Sequence, residues 1–356
     1  MTSEKTNLLG KNLSELQELC AAEGFPRFTA KQICDWLYKK RVDTIDAMTN
    51  LSLAQRLRLN EIAYIGRHTP VDCQVSKDGT KKYLFWVGNY VESVYIPVPA
   101  ENLARHGLAT LCISCQAGCK MGCRFCETGK QGFHGSLTAA DILNQIFSIP
   151  EADELTNIVY MGMGEPMDNL DAVLRSTEVL TAPWGLAWSP HRITVSTVGV
   201  IPRLKRFLDE SQCHVAVSLH NAVAAERLGI MPMQKVYPIA DVVALLRKYD
   251  WNGQRRLSFE YTMFRGLNDD LGHAAELVRL VRGLNCRVNL IRYHSGPSSS
   301  AGTMTFTTAT PQTMNSFRDY LNAHGITCTI RASRGEDIMA ACGLLAGRHA
   351  SDVEAQ

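Results

Sequence analysis

From about residue 105 onward, runs rich in β-branched and aromatic residues alternate with amphipathic stretches of helical period. The runs are ATLCIS (109–114), TNIVYMG (156–162), RITVST (192–197), HVAVSLH (214–220), LSFEYTM (257–263) and RVNLIRY (287–293). Between them lie stretches such as LTAADILNQIF, NLDAVLRSTEVL, IADVVALLRKY and GHAAELVRLV. Strand–helix repeats of this kind predict an α/β fold with a parallel sheet covered by helices. Six units predict a partial (βα)6 barrel, open on one side, rather than the closed eight-stranded form. In a barrel the functional site gathers at the carboxyl ends of the strands. This chain puts small and polar residues there: Cys112 and Ser114, Gly162 to Glu165, Ser196, Ser218 and His220.

The segment before residue 105 has a different pattern. Leu13, Leu16 and Leu19 recur at helical spacing, with Ser14 placed to cap the start. Amphipathic stretches over Thr29–Lys40 and Met48–Leu59 complete a small N-terminal helical domain over 1–65, whose Arg27, Lys31, Lys39, Lys40 and Arg41 suit an RNA-binding face as readily as a solvated one. A β segment over 66–104 leads into the barrel, with Asp78-Gly79 as a hairpin turn between VDCQVSK and KKYLFWVG. YVESVYIPV follows and sets Glu92 among apolar residues; a strand carboxylate of this kind is ordinarily solvated on an outer face. The barrel core spans 105–345 and a tail 346–356. SGPSSSAG (295–302) reads as a flexible loop.

The chain has 356 residues, of which 46% are hydrophobic, and its 37 Lys and Arg nearly balance 35 Asp and Glu. That excludes disordered and collagen-like classes, and net charge identifies no partner. No apolar run is long enough for a membrane helix, and Met1–Gly10 holds no signal-peptide core, so the expectation is a cytoplasmic protein without membrane contact. Its twelve cysteines are too many to pass over, yet the chain is too long for a disulfide scaffold. Five of them fall between Cys112 and Cys126. Cys119, Cys123 and Cys126 form CxxxCxxC directly after the first barrel strand. Three thiolates in one tight loop can bind three irons of a 4Fe–4S cube and leave the fourth open to a small molecule. The plainer alternative is structural zinc, which takes four ligands in paired C-x₂₋₄-C spacing; no second pair lies nearby, although Cys112 or Cys115 could complete a set.

This spacing, followed after the next strand by Gly162-Met163-Gly164-Glu165-Pro166, resembles the radical S-adenosylmethionine (SAM) superfamily and its GGEP-type segment. Within it, four features resemble the RlmN/Cfr RNA adenosine methyltransferases. They are Thr110-Leu111-Cys112 before the cluster loop, and Gly335 to Gly343 (GEDIMAACG) around Cys342. The others are the segment from Phe28 to Leu51 with its FRFT-like and NLS motifs, and the β segment over Asp78–Phe85 and Val91–Val94. The resemblance covers roughly residues 10–350.

It implies a 4Fe–4S cluster on Cys119, Cys123 and Cys126, and SAM contacts at Gly164, Glu165, Ser196, Ser218, Leu219, His220 and His294. It also implies Cys342 as an S-methylcysteine intermediate, Cys112 as the thiol that resolves the covalent RNA adduct through a transient disulfide with Cys342, and Glu92 as proton acceptor. His294 stands where the family has Asn, and Cys115 where it usually has Ser; Cys115 reads as a small packed residue. Pro166 is the RlmN form and favours C2 methylation, whereas VNLIRY (288–293) is nearer Cfr and its C8 chemistry. The implied partners are RNA (23S rRNA and, in some members, tRNA) and a flavodoxin-type electron donor, with a monomeric enzyme. An alternative from another class is an iron–sulfur RNA-binding protein without methyl transfer, which needs neither Cys112 nor Cys342. Basic residues for RNA cluster at Arg27–Arg41, Lys81-Lys82, Lys120/Arg124/Lys130, Arg203/Lys205/Arg206 and Arg255-Arg256.

Overall fold

The computed structural model describes residues 5–99, 109–296 and 305–347. The expected flexible loop therefore lies outside the described residues from 297 on, as does the tail from 348.

Near the N-terminus a short parallel pair, β1 (Thr6–Asn7) and β2 (Ala63–Tyr64), closes a layer of helices Leu13–Ala22, Thr29–Cys34 and Leu53–Ile62. The first helix is capped by Asn12 in a capping box with Glu15, not by Ser14. Asn12 stands just ahead of the first helical turn, where a side-chain oxygen can meet the free N–H groups. The stretch expected to run as one helix to Lys40 passes after Cys34 into a π-helical turn, Asp35–Lys39. The third helix starts late, at Leu53, because Ser52 and Gln55 form its capping box.

Three antiparallel strands follow, β3 (Asp72–Val75), β4 (Lys81–Trp86) and β5 (Tyr90–Pro97). β5 pairs antiparallel with β6 (Ala109–Cys112), so the β segment extends the barrel sheet itself. A small hairpin, β7 (Gln116–Gly118) and β8 (Phe133–Ser136), carries the cysteine loop. Then come β9 (Leu155–Tyr160), β10 (Ile193–Thr197), β11 (His214–Ser218), β12 (Leu257–Met263), β13 (Arg287–Arg292) and β14 (Thr327–Ile330). The ten-stranded sheet has the order β14-β13-β12-β11-β10-β9-β6-β5-β4-β3, and its strands β6 and β9 to β14 are mutually parallel. The six expected strands are all present, and β14 adds a seventh.

Register separates the two faces of this sheet. Leu111, Ile158, Val195, Val215, Val217, Phe259, Leu290 and Cys328 point outward and are buried under the helices. The inward face carries Cys112, Thr194, Ser196, Ser218, Glu260, Thr262 and Asn289. Side chains on successive residues alternate across a strand, so one strand supplies both an apolar wall and a polar lumen. The C-terminal segment after β14 reaches back to the opposite edge of the sheet. There Asp337 Oδ1 accepts from Ser76 Oγ at 2.5 Å, and Gly335 N–H donates to Asp78 Oδ2 at 3.1 Å.

Candidate active site

The lumen opens at the carboxyl ends of the strands into one cleft of about 1010 Å³ including its mouth. Cys119, Cys123, Cys126, Gly164, Glu165, Ser196, Ser218, His220, His294 and Cys342 all line it. The cysteine loop is held shut at its base: Cys119 N–H donates to the Gly132 carbonyl, and Gly118 sits at φ 71 with Gly132 O 2.0 Å from where a Cβ would be. Burial raises all three thiols, Cys119 to about 12. Arg227, fully buried, opposes that rise at Cys123. Among the described residues no three His, Cys, Asp or Glu side chains converge on a point that could hold a single metal ion. A cube asks for something else, thiolates ranged round a hollow with an iron at each corner, and three cysteines on one wall of a cleft beside a buried cation fit that demand. The zinc alternative has no such convergent set.

Beside this loop, Gly164 sits at φ 99, and a Cβ there would lie 2.5 Å from Gln116 Cβ, so only glycine allows the turn. Gln116 Oε1 in return accepts the Glu165 N–H at 3.0 Å. The Glu165 carboxylate accepts from Val198 N–H at 2.9 Å and Met167 N–H at 3.1 Å, yet burial still pushes it up to about 7. A buried acid of this kind suits an ammonium ligand, whose charge would bring it back to the ionised form. His220 is neutral, lowered to about 3 by burial, and its Nδ1 accepts from Thr262 N–H at 2.9 Å. Nε2 therefore carries the proton. The hydroxyls of Ser196 and Ser218 have no hydrogen-bond partner among the described residues and face the cleft. Leu219 is different: its side chain is buried in the core and its N–H is taken by the Glu260 carbonyl at 3.0 Å. His294 lines the cleft, but its Nε2 bonds Ser333 Oγ at 2.7 Å, and Nδ1 lies 3.7 Å from Glu336 Oε2. It ties the end of β13 to the segment that bears Cys342.

That segment is docked on the cysteine loop. Glu127 N–H donates to the Gly343 carbonyl at 2.8 Å, and Thr128 Oγ1 to that of Leu345 at 2.6 Å. Cys342 opens into the cleft, and the protein enclosing the cleft raises its thiol by desolvation. Cys112 is buried behind it; desolvation and the neighbouring Cys342 raise its thiol. The Arg331 guanidinium counters the rise at both cysteines and lies 3.6 Å from Glu260 Oε2.

Glu92 does not line the cleft and is only 1% exposed. It faces inward, and its Oε1 lies 3.1 Å from Lys82 Nζ, while Oε2 accepts from Ala346 N–H at 2.7 Å and Gly347 N–H at 3.0 Å. The ordinary solvated face of a strand carboxylate does not apply here: this strand lies inside the sheet, and its carboxylate anchors the segment that follows Cys342.

Sequence reasoning missed Arg227, Glu260 and Arg331. Arg227 donates to Leu219 O at 2.9 Å, Ser218 O at 2.9 Å, Gln234 Oε1 at 2.7 Å and Val198 O at 3.4 Å, clamping the loops after β10 and β11. On its short helix it reads as one more surface cation. The basic clusters assigned to RNA are also mostly matched by the chain's own acids: Lys81 by Glu151, Lys82 by Glu92, Lys120 by Asp168, Lys130 by Glu127, Lys205 by Asp209 and Arg206 by Glu210. Their charge is largely compensated within the fold. Cys115 is buried and packed, as expected.

Three thiols, a buried acid and unpaired hydroxyls around one cleft at the top of a partial barrel define a radical SAM enzyme. The family model described as "Radical SAM superfamily" matches residues 113–278. A crystal structure of a radical SAM methyltransferase from Sphaerobacter thermophilus shares 38% identity at a TM-score of 0.87, covering 96% of this chain and all of that one. The family model described as "Ribosomal RNA large subunit methyltransferase N-terminal domain" matches residues 6–65. The chain is 54% identical over 344 residues to the probable dual-specificity RNA methyltransferase RlmN of Parabacteroides distasonis, covering 96% of this chain and 97% of that one. To the dual-specificity RNA methyltransferase RlmN of Syntrophotalea carbinolica it is 39% identical over 346 residues, covering 97% and 90%. The chain belongs to the RlmN family of radical SAM methyltransferases. It is a methyltransferase that uses a 4Fe–4S cluster and SAM.

Proposed function

We propose that this enzyme methylates C2 of adenosine in RNA, 23S rRNA and tRNA, with Cys342 carrying the methyl group. The observation that carries this reading is that Cys342 opens into the cleft lined by Cys119, Cys123 and Cys126, with Cys112 and Arg331 directly behind it. The cluster would be held by the three cysteines, and SAM by Glu165 through its ammonium and by Ser196, Ser218 and His220. Together they supply a radical able to take hydrogen from an S-methyl group.

The chain's own residues do the rest. Cys342, as thiolate, accepts a methyl group from one SAM. The methylene radical formed on it bonds to adenine C2, and the adduct radical would return one electron to the iron–sulfur cluster, balancing the one spent on cleaving SAM. Glu92 takes the C2 proton. Cys112 thiolate then attacks the Cys342 sulfur; the S–S bond forms, the S–C bond breaks, and the released carbon takes up a proton to become the methyl group. Arg331 favours the thiolate at both sulfurs. Glu92 has Ala346 and Gly347 on Oε2 and Lys82 on Oε1, so a proton taken up there competes with those three donors. The reading includes a flavodoxin-type electron donor, a monomer and a cytoplasmic location; among the described residues no helix is long and apolar enough to cross a membrane. Mass spectrometry of nucleosides from RNA treated with the reconstituted enzyme tests it. 2-Methyladenosine is expected; 8-methyladenosine, or no methylated adenosine, would overturn it.

A further inference from the structure

The β4–β5 ladder continues past Glu92 to its exposed tip, and two aromatic side chains stand there. Trp86 pairs with Tyr90 across the ladder, their rings edge-to-face at a centroid distance of 4.8 Å. Trp86 remains 52% exposed. Paired residues, and every second residue along a strand, share one face of a sheet. The registers Trp86↔Tyr90, Leu84↔Glu92, Lys82↔Val94 and Val94↔Cys112 therefore put Trp86, Tyr90, Glu92, Val94 and Cys112 in one row on the inward face. Tyr90 stands two residues, about 7 Å, from the proposed proton acceptor.

The tip also abuts the segment that follows Cys342. A Cβ on Gly347 would lie 2.6 Å from the Tyr90 carbonyl oxygen and 3.3 Å from Met163 Cε, next to Gly164 in the cleft wall. The turn is tight, with Gly88 at φ 83 and Val87 N–H donating to Asn89 O at 3.0 Å, so the aromatic pair is presented on a fixed support.

We propose that Trp86, braced by Tyr90, is the stacking platform for the nucleotide next to the target adenosine in the RNA substrate. The proposal rests on the reading that this adenosine reaches Glu92 and Cys342. A base drawn out of its stack to reach a buried site leaves its neighbour without a stacking partner on one side. An exposed indole one short step from the reacting base replaces that partner, and stacking on it is tolerant of base identity. The two lysines on the same strand, Lys81 and Lys82, are already paired to Glu151 and Glu92, so stacking carries binding energy that phosphate contacts by them do not.

The test is a binding cycle on reconstituted enzyme, using a fluorescently labelled, unmethylated RNA stem–loop that contains the target adenosine. Wild type, W86A and W86F are each titrated with the intact RNA, and with RNAs carrying an abasic nucleotide immediately 5′ or 3′ of the target. W86A is expected to bind the intact RNA about 5- to 150-fold more weakly, the fold-change of one lost base–aromatic stack, and W86F to recover most of it. One of the two abasic RNAs should weaken wild type by a similar factor and leave W86A unchanged. W86A binding equal to wild type, or abasic penalties equal in wild type and W86A on both sides, would overturn the proposal. Binding is read without turnover, so the outcome stands apart from the role of Glu92: normal methylation by E92Q would remove the proposed base and not this platform.

Discussion

Cofactor affinity should follow the ionisation of Glu165. Its carboxyl is buried at the end of the β9 loop and pushed up to about 7, although two backbone N–H groups and Thr197 favour the charged form. An ammonium group binds the carboxylate and not the neutral acid. With that midpoint, about nine-tenths of the protein is competent at pH 8 and about one-tenth at pH 6. The dissociation constant for SAM should therefore rise about tenfold on going from pH 8 to pH 6, about 1.4 kcal/mol. The amino group of SAM titrates in the same experiment, so E165Q serves as the reference: it keeps the ligand's own titration and lacks the carboxylate. Equilibrium dialysis of labelled SAM against reconstituted wild type and E165Q across pH 6–8 reads the ratio. A ratio that stays flat with pH would refute the reasoning, because a carboxylate ionised throughout could not be buried as described. The linkage has a definite sign. A carboxyl raised in the folded state takes stability away as pH rises from its unfolded value near 4.5 through about 7, by about 3 kcal/mol in all. The stability difference between SAM-free wild type and E165Q should fall over that window and level off above it.

Other residues give separate tests. Arg227→Met takes the guanidinium away from four acceptors, the Leu219, Ser218 and Val198 carbonyls and Gln234 Oε1, and should cost about 3 kcal/mol in urea unfolding, with reduced iron after reconstitution; a loss below about 1 kcal/mol would contradict the clamp. Gly164→Ala forces a Cβ against Gln116 at positive φ and should abolish measurable SAM binding while the far-ultraviolet spectrum stays that of a folded protein; retained affinity would contradict the close approach. Asp337→Ala removes the anchor on Ser76 and Lys77, so amide exchange over residues 335–347 should quicken while β10–β12 stay protected; unchanged exchange would show that the anchor holds nothing.

The barrel was legible because its strands are apolar on the helix-covered face, and Ile158, Val195, Val215 and Phe259 announce themselves by residue type. β14 was not. Its TCTI run is four residues long and half of it faces a polar lumen, so nothing separates it from a loop. The burial of Glu92 was not legible from its strand alone: alternation says which residues share a face, not whether the polar face meets water or the inside of a barrel. The partners that decide the matter, Ala346 and Gly347, stand 254 and 255 residues further on. The caps Asn12/Glu15 and Ser52/Gln55 were present in the sequence as N-x-x-E and S-x-x-Q and would have fixed two helix starts. The cysteine loop and the segment around Gly164 were readable because their chemistry needs particular residues at particular spacing. Arg227 and Arg331 act through contacts that only the folded chain brings together.

The central claim is that Cys342 carries the methyl group and Cys112 releases the product. Cys342 neighbours the buried Cys112, and the Arg331 guanidinium acts on both sulfurs; on the proposed reading Cys112 attacks the Cys342 sulfur and holds no iron. Cys112→Ala should keep its cluster and cleave SAM, then stall with RNA joined to Cys342 by a thioether that unfolding cannot break. The deciding measurement is a denaturing gel of Cys112→Ala incubated with labelled RNA, with iron assayed on the same sample. The account predicts full iron content and a slow-migrating protein–RNA band that disappears when Cys342 is also replaced. Loss of iron without a band, or methylated RNA released at the wild-type rate, would contradict it.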